Sequence, residues 1–148
     1  MDADKLRAAL QCAQSIVPQL GQAADQLNAS FTDLEQALRA TNLRIPVRVV
    51  LYEEHDDSFR PIGATYLGWT KLDGTWSLAI SSEYHSGPPT DDSIRVTAAS
   101  LRDRKVAAGK VHLLVEAMAE AMLKQVAQLQ TASAQVDEVT SVLVGDES

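Results

Sequence analysis

Leu6, Leu10, Ala13, Val17, Leu20, Ala24, Leu27, Phe31, Leu34 and Leu38 follow one another by alternating steps of four and three. Such a seven-residue repeat wraps one apolar seam along an α-helix and favours a left-handed supercoil. It predicts a helix over residues 3–42, about 55 Å long at a rise of 1.5 Å per residue. Pro18 removes a backbone donor and Gly21 loosens the next turn, so a kink near Pro18 is expected. The same steps return in Val111, Val115, Met118, Met122, Gln125, Leu129, Ala132, Val136, Val139 and Leu143. A second helix is therefore expected over 98–143, with Ser100 as its cap and Asp103 three residues later. Gly109 is its weak point, and Gly145 with the acidic 146–148 reads as a frayed tail.

Between the helices the period drops from seven to two. Pro46–Tyr52 is rich in β-branched residues, and two further strands are expected over Ile62–Lys71 and Thr75–Ser82. Leu72-Asp73-Gly74 joins them, because Asp-Gly tolerates the positive φ angles of a tight hairpin. Trp76, Leu78 and Ile80 alternate with Ser77, Ala79 and Ser81, one face apolar and the other polar. The paired prolines within 83–97 mark that stretch as a loop. The expected fold is one α+β domain spanning 1–148. Its two helices form an antiparallel coiled-coil or bundle stem, and a three-stranded antiparallel β-meander head over 45–82 lies between them. A meander of three strands buries neither face alone, so it has to pack on the near ends of the helices.

The seam is broader than a two-stranded coiled coil requires. Ala9, Ile16, Ala23, Ser30 and Ala37 form a second column beside it, and glutamines stand where a solvated coiled coil carries Glu and Lys. An alanine-rich stripe of that width belongs to a helix with neighbours on two sides. A homodimer or higher oligomer supplies them, with Leu20, Leu27, Phe31, Leu34, Val115, Met118, Met122 and Leu129 as the seam.

Composition narrows the function classes. No run of residues reaches the length of a membrane span, and the N-terminus has no secretory pattern. The lone Cys12 makes no internal disulfide, which points to a reducing cytoplasm. A net charge of −7 disfavours a nucleic-acid partner, since phosphate contacts need a clustered positive field. No glycine-rich phosphate loop, nucleophile elbow or cysteine pair at metal spacing is present, so no catalytic residue, metal or cofactor is assigned. His55, Glu83 and His85 are the one group from which a small metal-dependent or ligand-binding enzyme would be built. The acids around His55 are sequential, as in a solvated turn.

Arg95, Arg102, Arg104 and Lys105, with Lys110, cluster around a helix start, where the dipole disfavours cations. They are candidates for an acidic partner surface, or for a nucleic-acid-associated regulator. Tyr66 and Trp69 point to opposite faces of their strand, so one of them is free to meet a partner. The sequence as a whole points to a non-enzymatic protein–protein interaction module: an oligomeric scaffold, adaptor or inhibitor.

Overall fold

The computed structural model describes residues 2–85 and 92–145. The chain runs as α1 (Ala3–Ala40), β1 (Val47–His55), β2 (Pro61–Leu72), β3 (Thr75–Tyr84), β4 (Ile94–Arg95), a 3₁₀ turn at Val96–Ala98, and α2 (Leu101–Gly145). It is the α+β arrangement expected: a meander between an N-terminal and a C-terminal helix. The sheet has four antiparallel strands in the order β1-β2-β3-β4, not three. The short β4 pairs through only Ala79 with Arg95 and Ile80 with Ile94, too brief for a period to register. Part of the expected loop, residues 86–91, and the expected tail 146–148 lie outside the described residues.

Local chemistry accounts for the elements. The Asp2 side chain accepts from the Asp4 amide at 3.0 Å and caps α1. The helix then continues through Pro18 without interruption. Gln14 is exposed, so the carbonyl that Pro18 leaves without its donor faces water instead of a dry interior, and the helix does not end there. Ser100 caps α2, its hydroxyl accepting from the Asp103 amide at 3.2 Å. Asp73 and Gly74 both take positive φ, 48° and 82°, which closes the β2–β3 hairpin as the sequence requires.

One sheet face carries the core. Leu67 and Trp69 of β2 and Leu78 and Ile80 of β3 are buried with Phe31 of α1 and Ala107, Leu114 and Met118 of α2. Trp69 is wholly buried; its indole N–H donates to the Leu43 carbonyl at 3.0 Å and its ring lies 6.1 Å from that of Trp76. In β1 the register slips between Val50 and Tyr52. The bulge lets adjacent residues serve the helix layer: Leu51 is buried, and the Tyr52 hydroxyl donates to Asp103 of α2 at 3.0 Å.

α1 runs along the open edge of β3 where β4 does not reach. Arg39 Nε donates to the Trp76 carbonyl at 2.8 Å, and the Leu78 amide donates to Glu35 Oε2 at 3.2 Å. The helix thus satisfies edge groups that would otherwise template a foreign strand. Moving from Arg39 to Glu35 to Asn28 is a movement along β3 from Trp76 towards Ser82. Asn28 there accepts from Arg104 of α2 at 2.8 Å, and the two helices make no extended contact elsewhere.

The direction of α2 follows from lengths. From Asp103, beside Tyr52, its buried positions continue to Met118, roughly 22 Å of helix. Beyond Tyr52, β1 offers only Glu53–His55, about 10 Å, whereas Val47–Leu51 and the buried Leu43 lie on the other side. α2 therefore descends towards Val47, and the free halves of α1 and α2 leave the head at opposite ends. Every described residue up to Ala23, and every one from Met122 to Gly145, is exposed.

The seam thus divides. Leu27, Phe31, Leu34 and Met118, expected to line a helix–helix interface, pack into the head instead. Leu20, Met122 and Leu129 stand exposed, as does Val115 at 43%. No intramolecular stem forms, because the helices part at the head.

Gly63 of β2 sits where a Cβ would lie 2.6 Å from the Glu83 carbonyl oxygen and 2.8 Å from the Tyr84 ring. The first obstacle is backbone, so it does not yield cheaply. Gly63→Ala is expected to cost about 1–3 kcal/mol in urea unfolding through forced opening of the β2–β3 ladder. A cost within error of zero would show that the ladder accommodates the methyl group.

Candidate functional site

The face of the sheet away from the helices is built from the alternate residues of β1, β2 and β3. Arg48, Tyr66 and Glu83 cross it diagonally. The Arg48 guanidinium lies over the Tyr66 ring, 3.9 Å from its centroid, and Arg48 Nη1 is 2.7 Å from Glu83 Oε1. Beside them the cross-strand partners Gly68 and Ala79 leave a floor of small residues. A groove of about 350 Å³ opens there, its rim formed by Arg48, Thr70, Ser81, Glu83 and Asp92. The lining mixes apolar surface with hydroxyls, one cation (Arg48) and two carboxylates (Glu83 and Asp92), so it can recognise a partner by hydrogen bonds as well as by contact.

The hydrogen bond from Arg48 holds the Glu83 carboxyl below the ordinary carboxylate range, and their opposite charges add to the effect. The same bond raises the Arg48 guanidinium. With Glu83 lowered in the folded chain, the contact contributes fully above the ordinary carboxylate range and fades as pH falls through the lowered value. Both side chains are about half exposed, so the consequence for stability is small. A carboxyl-carbon NMR titration is expected to place Glu83 below the other exposed glutamates, and Arg48→Ala to return it to them. Equal midpoints before and after that substitution would refute the contact.

Tyr66 and Trp69 do lie on opposite faces. Trp69 is in the core and unavailable to a partner, which leaves Tyr66, half-buried, on the open face. The basic residues are dispersed. Arg95 approaches Glu35 at 3.7 Å, Arg102 stacks over Tyr52 at 4.9 Å, and Arg104 holds Asn28; Lys105 is exposed and Lys110 half-buried. Three of these cations serve contacts within the fold, so the cluster forms no single patch. His55 ends β1 and His85 follows β3, with β2 between them, about 10 Å apart at the usual strand spacing. Glu83 is turned to Arg48, and among the described residues no three His, Cys, Asp or Glu side chains are grouped to hold a metal ion. Nor is any helix among them long and apolar enough to cross a membrane.

Besides Arg48, two residues stand out in the structure that the sequence pattern did not mark. Phe59, in the β1–β2 turn, is 87% exposed at φ 60°. Asp56 fixes that turn, its carboxylate accepting from the Ser58 and Arg60 amides at 2.8 and 2.9 Å. A bulky residue held at positive φ on a braced turn is an uncommon display. The lone aromatic among Asp56, Asp57, Ser58 and Arg60 was the available signal. Glu35 is the other: a buried acid whose surroundings in the sequence resemble any solvated helix face.

In comparisons with protein families, curated proteins and solved structures, the chain matches none.

Proposed function

We infer that the chain is a non-enzymatic protein–protein interaction module, a self-associating scaffold, adaptor or inhibitor working in the cytoplasm. Its free helix halves assemble it, and its head meets a partner protein through the open sheet face around Tyr66 and the Phe59 turn. The observation that carries this reading is the exposure of the outer seam. Leu6, Leu10, Val17, Leu20, Met122, Leu129 and Val136 all stand between 43% and 64% exposed, on helix halves that extend beyond the head. In proteins most helical stability comes from packing an apolar face against a neighbour. A repeat sustained over that distance without an internal partner supports an external one.

Sedimentation of the purified full chain at micromolar concentration tests the reading. An oligomer is expected, and Leu20→Glu with Leu129→Glu is expected to return it to a monomer with the head still folded. Both positions are exposed in the single chain, so their loss leaves the core untouched. A wild-type chain that stays monomeric at about 100 µM would end the proposal.

A further inference from the structure

We propose that each free helix half is covered by the opposite half of one second copy: Leu6–Leu20 of one chain lies antiparallel against Met122–Val136 of the other. Two heads then sit side by side about a twofold axis. This deepens the self-association inferred above and rests on it.

The geometry of the single chain sets the first condition. Because the halves leave the head at opposite ends, they do not meet within one chain. A twofold rotation perpendicular to them brings α1 of each copy beside α2 of the other, in opposite chain directions. Both pairs are then satisfied at once, and the assembly closes at two copies.

The seams match in that direction. Counting back from Leu20, seam residues fall at Val17, Ala13, Leu10 and Leu6; counting forward from Met122, they fall at Gln125, Leu129, Ala132 and Val136. Both series step three, four, three, four. Laid antiparallel, every layer coincides: Leu20 with Met122, Val17 with Gln125, Ala13 with Leu129, Leu10 with Ala132, Leu6 with Val136. Small faces large in the two central layers, Ala13 under Leu129 and Ala132 under Leu10, and the sides alternate so that neighbouring layers interdigitate. The flanks carry no opposing charges. Ala9, Ile16 and Ala23 come beside Gln135, Gln128 and Ala121, and α1 has no charged residue from Ala8 to Ala24. Alanine and glutamine at those flanks set no like charges against one another across the antiparallel pair.

The area is sufficient. Seven large apolar seam side chains per stem pair, now exposed, would each lose roughly 60–120 Å² of surface. Over two stem pairs that is on the order of 1,000–1,500 Å² before the flanks are counted, against about 1,200–2,000 Å² for stable interfaces.

The test uses the full chain with Cys12→Ser, so that no native thiol competes. Ala13→Cys and Leu129→Cys are introduced together, and the protein is oxidised at micromolar concentration. A covalent dimer is expected as the main product, without a ladder, since the twofold pairing forms two bonds and closes. Ala13→Cys paired instead with Ala132→Cys, Val136→Cys or Val139→Cys is expected to cross-link at least tenfold more slowly, because those pairs belong to parallel or shifted alignments. Faster linking by any of them, or a ladder of higher species, would overturn this pairing while leaving self-association intact. Absence of all cross-links from a chain that sediments as a monomer would overturn both.

Discussion

Trp69→Ala is expected to bring the head close to unfolding. The side chain is wholly buried, stacked on Trp76 and bonded through its N–H to the Leu43 carbonyl. Deleting a buried tryptophan leaves a cavity that neighbours only partly fill, costing about 3–5 kcal/mol. The orphaned Leu43 carbonyl adds part of a desolvation penalty of about 1–3 kcal/mol, the two effects overlapping because they share one site. A domain of this size has only about 5–15 kcal/mol in hand. In urea, at an ordinary slope, the midpoint should fall by roughly 2 M. Trp69→Phe keeps most of the ring and loses the donor, so it should cost clearly less. If Trp69→Ala shifted the midpoint no more than Trp69→Phe, the closed core described around it would be wrong.

The contrast between Trp69 and Tyr66 shows what periodicity alone conveys. Strict alternation put them on opposite faces, and it did so because a strand's side chains have a period of two whatever surrounds it. Which of the two faces was covered needed knowledge of where the helices lie. The Asp73-Gly74 turn was equally legible, since its backbone angles depend on two adjacent residues. The heptads fixed the helices but left their use open. A seam residue packed on a sheet, such as Phe31, and one awaiting another helix, such as Leu20, carry the same spacing and type. Only the direction in which each helix leaves the head separates them.

Features made by contact across the chain were the least readable. The bulge at Leu51 interrupts an apolar run that looks regular, and β4 consists of two residues placed by pairing to β3. The candidate surface is of this kind. Arg48, Tyr66 and Glu83 stand far apart in sequence; Tyr66 and Glu83 drew notice for other reasons, Arg48 for none, and the pairing of β1 and β3 to β2 brings the three together. His55 and His85 are the opposite case: residues of suitable chemistry and of one type, placed by the strand order at the ends of β1 and β3 with β2 between them.

Glu35→Leu carries the second large expectation, and it tests how the sheet edge is closed. The carboxylate is only 10% exposed; it accepts from the Leu78 amide, pairs with Arg39 and lies 3.7 Å from Arg95. Leucine conserves bulk and helix propensity, so any loss is electrostatic and directional. It leaves the Leu78 amide without an acceptor and Arg39 facing a less polar wall. Breaking a buried ion pair costs about 3–5 kcal/mol, but both arginines retain access to water, which lowers the figure to about 2–3 kcal/mol. Glu35→Gln keeps an acceptor for Leu78 and should lose about 1 kcal/mol. Beyond stability, the leucine variant exposes the open part of β3 whenever α1 lifts, and an unprotected edge recruits other strands. It should scatter light on warming at temperatures where the glutamine variant stays clear. Equal stability and equal clarity in the two would mean that α1 covers this edge by apolar packing through Phe31 and Leu34, with Glu35 incidental to it.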